Sequence, residues 1–288
     1  MRNIAAAALG LALATPAIAQ DAPAAPVAPP AAQRPAGPPP GVGADGWTVS
    51  VGFAPVVSPV WQGSTDAALS IFPDLRVNYR DEFFASVPDG IGWNAVREQG
   101  WRAGPLVKLR FGRDERNGGS PFLVSGGSDA LLGLGNIPAA GEAGLFVEKR
   151  LGAREQVRLR TEVRQGFGGH EALVIDLSAS LGGRVGRNIW SVGPRATLAG
   201  RDYVQTYFGI TPAQSAASGI TAFRADGGLV SVGLGGTVIR PLSRTYVVTL
   251  FGGVDRLSGD AGGSTLVQER GQRMQLVLGL GLSRRFRL

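Results

Sequence analysis

From Arg273 to Leu288 the chain alternates with a period of two. Met274, Leu276, Leu278, Leu280, Leu282, Phe286 and Leu288 share one parity, while Gln275, Gly279, Gly281, Ser283 and Arg285 fill most of the other. Successive side chains of a strand point to opposite faces, so this segment reads as a long strand with one apolar and one polar or small face. At about fourteen residues it suits a closed barrel, lipid outside and wet inside, better than a soluble sandwich. Its place at the end of the chain predicts that it closes the barrel against the strand beginning at Trp47.

The same reading predicts twelve strands, over 47–57, 67–79, 83–88, 90–96, 102–111, 142–151, 155–165, 171–182, 189–199, 228–239, 245–255 and 273–287. The third and fourth are short. If the chain enters from the periplasm, connections 152–154, 183–188 and 241–244 are periplasmic and short. Connections 112–141, 200–227 and 256–272 are then extracellular and long, which is the usual asymmetry of outer-membrane barrels. The expected fold is therefore all-β, a closed antiparallel transmembrane β-barrel of twelve strands and outer-membrane type, over residues 46–288.

Aromatic residues follow the same geometry. Trp47, Tyr79, Trp101, Trp190, Tyr246 and Phe286 fall at the periplasmic ends of their strands, on the apolar parity. That is the pattern of an interfacial girdle, where amphipathic rings prefer the headgroup level; the bland alternative is that aromatics simply favour strands. The inward face is clearest in 156–164, where Arg158, Arg160, Glu162 and Arg164 alternate with Val157, Leu159, Thr161 and Val163. Arginine in lipid costs about 2–4 kcal/mol near the midplane, so these charges are expected in the lumen. Lys108, Arg110, Asp176 and Arg195 share the inward parity of their own strands. A structural network of paired charges is the first reading, and a selectivity ring the second.

Composition bounds the rest. There is no cysteine, which excludes a disulfide framework, a thiolate metal site and a lipoprotein anchor. The net charge of +7 is carried almost wholly by Arg, since Lys108 and Lys149 are the only lysines. These arginines are scattered through alternating segments and form no compact basic run, so nucleic acid is not the expected partner. Membrane lipid and anionic lipopolysaccharide are the natural counterparts. Residues 1–19 have a secretory signal's layout, with Arg2, an apolar core from Ile4 to Thr15, and Ala17-Ile18-Ala19 before Gln20. Residues 20–45 are rich in Ala and Pro and read as a disordered periplasmic linker, either a spacer or a tether.

Little in the chain points to catalysis. His170 is the only histidine, so no multi-histidine metal site is available. Paired with Ser178 it would suggest a hydrolase. The two are eight residues apart along one strand, about 26 Å at strand rise. A solvated loop histidine in the turn 166–170 is the expectation. Gly126-Gly127 and Gly233-Leu234-Gly235-Gly236 are not followed by Gly-Lys-Ser/Thr and are no phosphate loop. Glycines within strands more plausibly admit curvature and close side-chain packing. No catalytic, cofactor-binding or metal-binding residue is expected.

Two outer-loop segments carry a family resemblance. Residues 207–219, Tyr-Phe-Gly-Ile-Thr-Pro-Ala-Gln-Ser-Ala-Ala-Ser-Gly, resemble a motif of the MipA/OmpV family. So does Val254-Asp255-Arg256-Leu257-Ser258-Gly259-Asp260-Ala261, followed by Ser264 to Val267. Gly52-Phe53-Ala54-Pro55, Gln62-Gly63-Ser64 and Pro73 to Arg80 add to it, so that about 46–288 is covered. The terminus departs from the family's usual aromatic ending, since Leu288 is last. The resemblance implies a non-enzymatic protein of the Gram-negative outer membrane. In some members it is a scaffold joining a murein synthase, a penicillin-binding protein, to a murein-degrading lytic transglycosylase. The alternative is a small-solute channel, with Arg158, Arg160, Arg164 and Arg195 favouring anions.

Overall fold

The computed structural model describes residues 46–116 and 120–288. The expected signal, 1–19, and linker, 20–45, lie outside the described residues. The described residues form fourteen strands: β1 (Trp47–Pro59), β2 (Ala67–Tyr79), β3 (Phe83–Ser86), β4 (Gly90–Trp93), β5 (Val96–Glu98), β6 (Trp101–Arg110), β7 (Leu123–Ser125), β8 (Ala140–Leu151), β9 (Val157–Gly168), β10 (Leu173–Val185), β11 (Asn188–Ala199), β12 (Gly228–Pro241), β13 (Tyr246–Leu257) and β14 (Met274–Arg287). β4 and β5 are two halves of one stave, and β7 is a loop segment laid against β2. That stave and the eleven other strands make a closed antiparallel barrel of twelve staves.

Closure is where the terminal strand places it. β1 pairs with β2 on one side and β14 on the other, in a register that sets Thr48 opposite Arg287 and Phe53 opposite Leu282. On β14, Met274, Leu276, Leu278 and Leu280 are exposed, whereas Gln275, Val277 and Ser283 are buried. The alternation holds on β8, with Glu142, Phe146 and Glu148 buried and Leu145 exposed by 62%. Leu145 belongs to a contiguous band of exposed apolar strand residues, with Leu109, Val147, Leu276 and Leu278 among them, and such a band faces lipid. Leu145→Arg is therefore expected to destabilise the barrel by about 2–4 kcal/mol in lipid bilayers, read as a shift in the urea unfolding midpoint.

One end carries short turns, at 80–82, 99–100, 152–156, 186–187 and 242–245. The other carries the long connections, 111–139, 200–227 and 258–273. Most strand ends lie one to three residues from the sequence reading, and two differences interrupt the ladder. The fourth strand breaks at Asn94 and Ala95: the Asn94 N–H donates to Glu82 O and its side-chain amide to Asp81 O, each at 2.7 Å. The Ala95 N–H turns back onto Trp93 O at 3.0 Å. A side chain that satisfies itself on the neighbouring turn thus interrupts the ladder. The third strand stops at Ser86, whose hydroxyl takes the N–H of Asp89 and donates to its carboxylate at 2.6 Å, making a tight hairpin tip.

The largest buried apolar cluster is not in the barrel wall but at the long-loop end. The long connections there contribute α1 (Arg201–Phe208), α2 (Pro212–Ser218), α3 (Gly259–Gly263) and α4 (Thr265–Arg270). Trp61, Leu131, Tyr203, Phe208, Ile220 and Leu266 pack together beneath them, all fully or almost fully buried. Among the described residues no helix is long and apolar enough to cross a membrane. The strands do the crossing.

Candidate functional site: a capped and charge-filled lumen

The inward charges form layers along the barrel axis. Nearest the short turns, Glu148 is ringed by arginines: Arg150 Nε at 2.9 Å, Arg160 Nη1 at 3.2 Å, Arg102 Nη1 at 3.7 Å, and Arg158 in direct contact. The register sets Arg158 directly opposite Arg150, a like-charge pair that only a shared carboxylate makes tolerable. In the middle, Glu162 accepts from Lys108 Nζ at 2.6 Å and Arg160 Nε at 2.8 Å. Glu162 also lies opposite Asp176, and Arg164 donates to both acids, joining the two like charges. Nearest the long loops, Glu142 takes Arg164 Nε at 2.8 Å and Arg110 Nε at 2.5 Å.

Each of the eight charged residues expected to face inward has an opposite partner here. Lys108, Arg160 and Arg164 share Glu162; Arg158 meets Glu148; Arg110 meets Glu142; Asp176 meets Arg164. Arg195 reaches past β12 to Asp255 on β13, with Nε to Oδ1 at 2.8 Å and a second contact through Nη2. Gly233 makes that reach possible, since a Cβ there would stand 2.2 Å from Asp255 Oδ1. Close packing over the Gly233–Gly236 cluster is thus its structural use.

Sequence reasoning missed Glu142, Glu148 and Asp255, the acids that neutralise these cations, although all three lie on alternating strands. It also misread His170. That residue is not solvated: it is 2% exposed, with Nε2 3.0 Å from Glu142 Oε1. Its Nδ1 receives the Ala172 N–H at 3.4 Å, so Nε2 carries the proton and donates to the carboxylate. The ring fits over Gly166, where a Cβ would meet it at 2.1 Å, and meets Tyr203 edge-on at 5.1 Å. Neither nitrogen is turned to Ser178, and a buried polar side chain with both nitrogens engaged is a structural post.

The cap ties into this layer. The Tyr203 hydroxyl receives Arg110 Nη1 and donates to Gln62 Oε1, both at 3.3 Å. Burial pushes the Tyr203 and Tyr207 phenols upward, so both remain neutral; the Tyr203 hydroxyl is hydrogen-bonded, and the Tyr207 hydroxyl is buried without a partner among the described residues. Burial also lowers the Arg113 guanidinium to about 10, with Tyr207 opposing the shift, and Arg113 Nη1 donates to Tyr207 O at 2.7 Å. Arg270 joins all three long connections, through Nη1 to Ala130 O at 3.1 Å, through Nη2 to Ser218 O, and by its own place on α4. Ser264 Oγ donates to Phe208 O at 2.5 Å and Thr265 Oγ1 to Thr221 O at 2.6 Å. The two motif segments, 207–219 and 254–267, therefore build the cap.

α2 is set by its own ends. Thr211 Oγ1 accepts the Gln214 N–H at 3.2 Å, Gln214 Oε1 accepts the Thr211 N–H at 2.9 Å, Pro212 stands at the first turn, and Gly219 ends the helix at φ +76°. Thr211→Ala is expected to cost about 1 kcal/mol, seen as faster hydrogen exchange at the amides of Gln214 to Gly219 only.

At the short-turn end the Trp47 and Tyr79 rings lie 4.7 Å apart, and Lys149 Nζ sits 4.6 Å from the Trp101 ring. Arg284 lies over both Tyr246 and Phe286, at 5.9 and 4.9 Å. Trp190 occupies the same end, half-buried near the β10–β11 turn. Phe83 and Trp93, which the sequence reading passed over, stack there too at 6.0 Å.

A closed barrel with lipid-type exterior, paired charges within and a packed cap at one mouth is an integral outer-membrane protein. A family model described as MltA-interacting protein MipA matches residues 51–286, and the chain belongs to that family. No relative matches among curated proteins. Among solved structures the chain is similar to the NanC porin, at 8% identity over 83% of this chain and 98% of that one, with a TM-score of 0.36. It is also similar to OprB of Pseudomonas putida, at 13% identity over 76% and 59% of the two chains and a TM-score of 0.37. Neisserial surface protein A aligns at 9% identity over 86% and 100%, with a TM-score of 0.26.

Proposed function

We propose that this protein is a non-enzymatic scaffold of the outer membrane, which holds murein-synthesising and murein-degrading enzymes near one another. The observation that carries this reading is the charge-paired and capped interior. Charges that neutralise one another and a cap with its own apolar core leave the barrel suited to anchoring rather than transport. The family's description, which names interaction with MltA, supports a murein enzyme as partner. In this reading the short-turn end faces the periplasm, its aromatic residues sit at the inner headgroup level, and lipopolysaccharide surrounds the capped end. The Ala/Pro-rich segment 20–45, behind a cleaved signal, acts with the short turns as the partner-facing surface.

A charge ring that selects anions is the competing reading, but Arg158, Arg160, Arg164 and Arg195 all have carboxylate partners and offer little uncompensated charge to a passing ion. Crosslinking in intact cells, followed by identification of captured proteins, tests the scaffold. Recovery of a murein synthase and a lytic transglycosylase is expected. Their reproducible absence overturns it.

A further inference from the structure

Charge is unevenly spread around the short-turn rim. Over the arc from β2 to β9, acids stand among the cations: Arg102 Nη2 lies 2.7 Å from Asp81, Arg97 Nη2 3.2 Å from Glu82, and Arg150 Nη1 3.6 Å from Glu155. The arc from β12 to β14 differs. No Asp or Glu side chain occurs in 228–254 or 271–288, whereas Arg240, Arg244 and Arg284 are all exposed there. None of the three has an ion pair among the described residues. Arg285 and Arg287, of the inward parity, and the Leu288 carboxylate beside them leave the sign of this arc unchanged. Val248 of β13 stands opposite both Arg240 and Leu282, and Arg284 lies two residues beyond Leu282, opposite Tyr246. At about 4.8 Å between strands, the Cα atoms of Arg240 and Arg284 are about 12 Å apart, near enough for both side chains to converge. Arg244 is on the turn that joins β12 to β13, and that turn is fixed. Ser243 Oγ accepts the N–H groups of Thr245 and Tyr246, at 3.2 and 3.0 Å. The Arg285 N–H donates to Thr245 O at 2.7 Å, which ties the turn to β14.

We propose that this arc is a binding site for anionic phospholipid of the inner leaflet, the choice of leaflet resting on the orientation given above. Charge selects an anion. Three guanidinium groups without an acid partner attract phosphate, whereas a zwitterionic head brings an ammonium that no Asp or Glu of the arc can receive. Depth selects a lipid over a wall polymer beyond the membrane. Arg240 and Arg284 share the parity of Val238 and Leu282, which are exposed on the outer wall. Arg284 is laid against the Tyr246 and Phe286 rings, which holds its charge at the level of the aromatic girdle. One step up the wall, Val238, Leu250 and Leu280 are neighbours across the three strands and all exposed, an apolar track for the acyl chains of a lipid whose head the arginines hold.

Native mass spectrometry of the full chain, released from detergent micelles, tests the site with dioleoyl-phosphatidylglycerol and dioleoyl-phosphatidylethanolamine, whose acyl chains are the same. A saturable phosphatidylglycerol adduct is expected, bound at least ~10-fold more tightly than the zwitterion. Arg284→Gln is expected to raise its Kd about 5-fold, the effect of one cation at a membrane surface, and the triple variant Arg240→Gln, Arg244→Gln, Arg284→Gln to abolish the preference. Arg97→Gln, on the arc where acids stand among the cations, is expected to leave Kd unchanged. Heat-modifiable migration on gels verifies that each variant is folded. Equal affinity for the two lipids overturns the site, as does an unaltered Kd in the triple variant. Tighter binding of Kdo2-lipid A than of phosphatidylglycerol, lost in the triple variant, overturns the inner leaflet. A triple variant that no longer sediments with purified murein sacculi but keeps its phosphatidylglycerol adduct assigns the arginines to the polymer and overturns the lipid.

Discussion

Arg164→Met is expected to lower the unfolding free energy by about 3–5 kcal/mol, the range for removing one member of a buried ionic network. Arg164 is 2% exposed and serves three carboxylates on three strands, Glu142, Glu162 and Asp176. The loss is unequal among them. Glu142 retains Arg110, and Glu162 retains Lys108 and Arg160. Asp176 is left with the Thr197 hydroxyl, at 2.6 Å, and with Glu162 opposite it across the ladder. Methionine fills much of the volume, so the change is mainly electrostatic. Arg164→Met combined with Asp176→Leu is therefore expected to recover a large part of the loss. Urea unfolding in bilayers reads both variants. A shift below about 0.5 kcal/mol for the single variant, the range of an ordinary surface substitution, would sink the network account.

Phe208→Ala is the second large effect. Phe208 is fully buried at the end of α1, and its carbonyl receives the Ser264 hydroxyl from the neighbouring loop. Truncation of a core Phe costs about 3–5 kcal/mol, and here the loss falls on a cap that is not part of the strand ladder. The expected outcome is rapid proteolysis and hydrogen exchange across 200–227 and 258–273, with the strand amides still protected. Uniform loss of protection through the strands would contradict a separately packed cap.

Much of the barrel was legible because its rule is simple. A period of two sorts Leu276 from Gln275 and Val163 from Arg164, and lipid penalises any error heavily enough to keep the pattern clean. The same rule would have found Glu142 and Glu148, which alternate with Leu145 and Val147 on β8; attention to the basic residues hid the acids that answer them. The cap was less legible. Helices of five to eight residues are too short to display a period of 3.6, and their apolar residues pack against other loops rather than along one face. One local signal was available, the Thr211-Pro212-Ala213-Gln214 start and Gly219 stop of α2. The burial of His170 had no signal in its own turn, because its partner Glu142 comes from β8, a strand earlier than the β9 that leads into the turn, and its cover, Tyr203, from a connection thirty-three residues on. The early end of β3 turns on the two Ser86–Asp89 hydrogen bonds, which no periodicity carries.

The proposed anchoring role requires a closed, charge-compensated barrel that does not conduct. Its most direct test is single-channel recording of the intact protein in planar bilayers at both polarities, with insertion verified by heat-modifiable migration of the protein recovered from matched proteoliposomes. Inserted protein without conductance steps is the expected result. Reproducible steps, above all anion-selective ones, would contradict it.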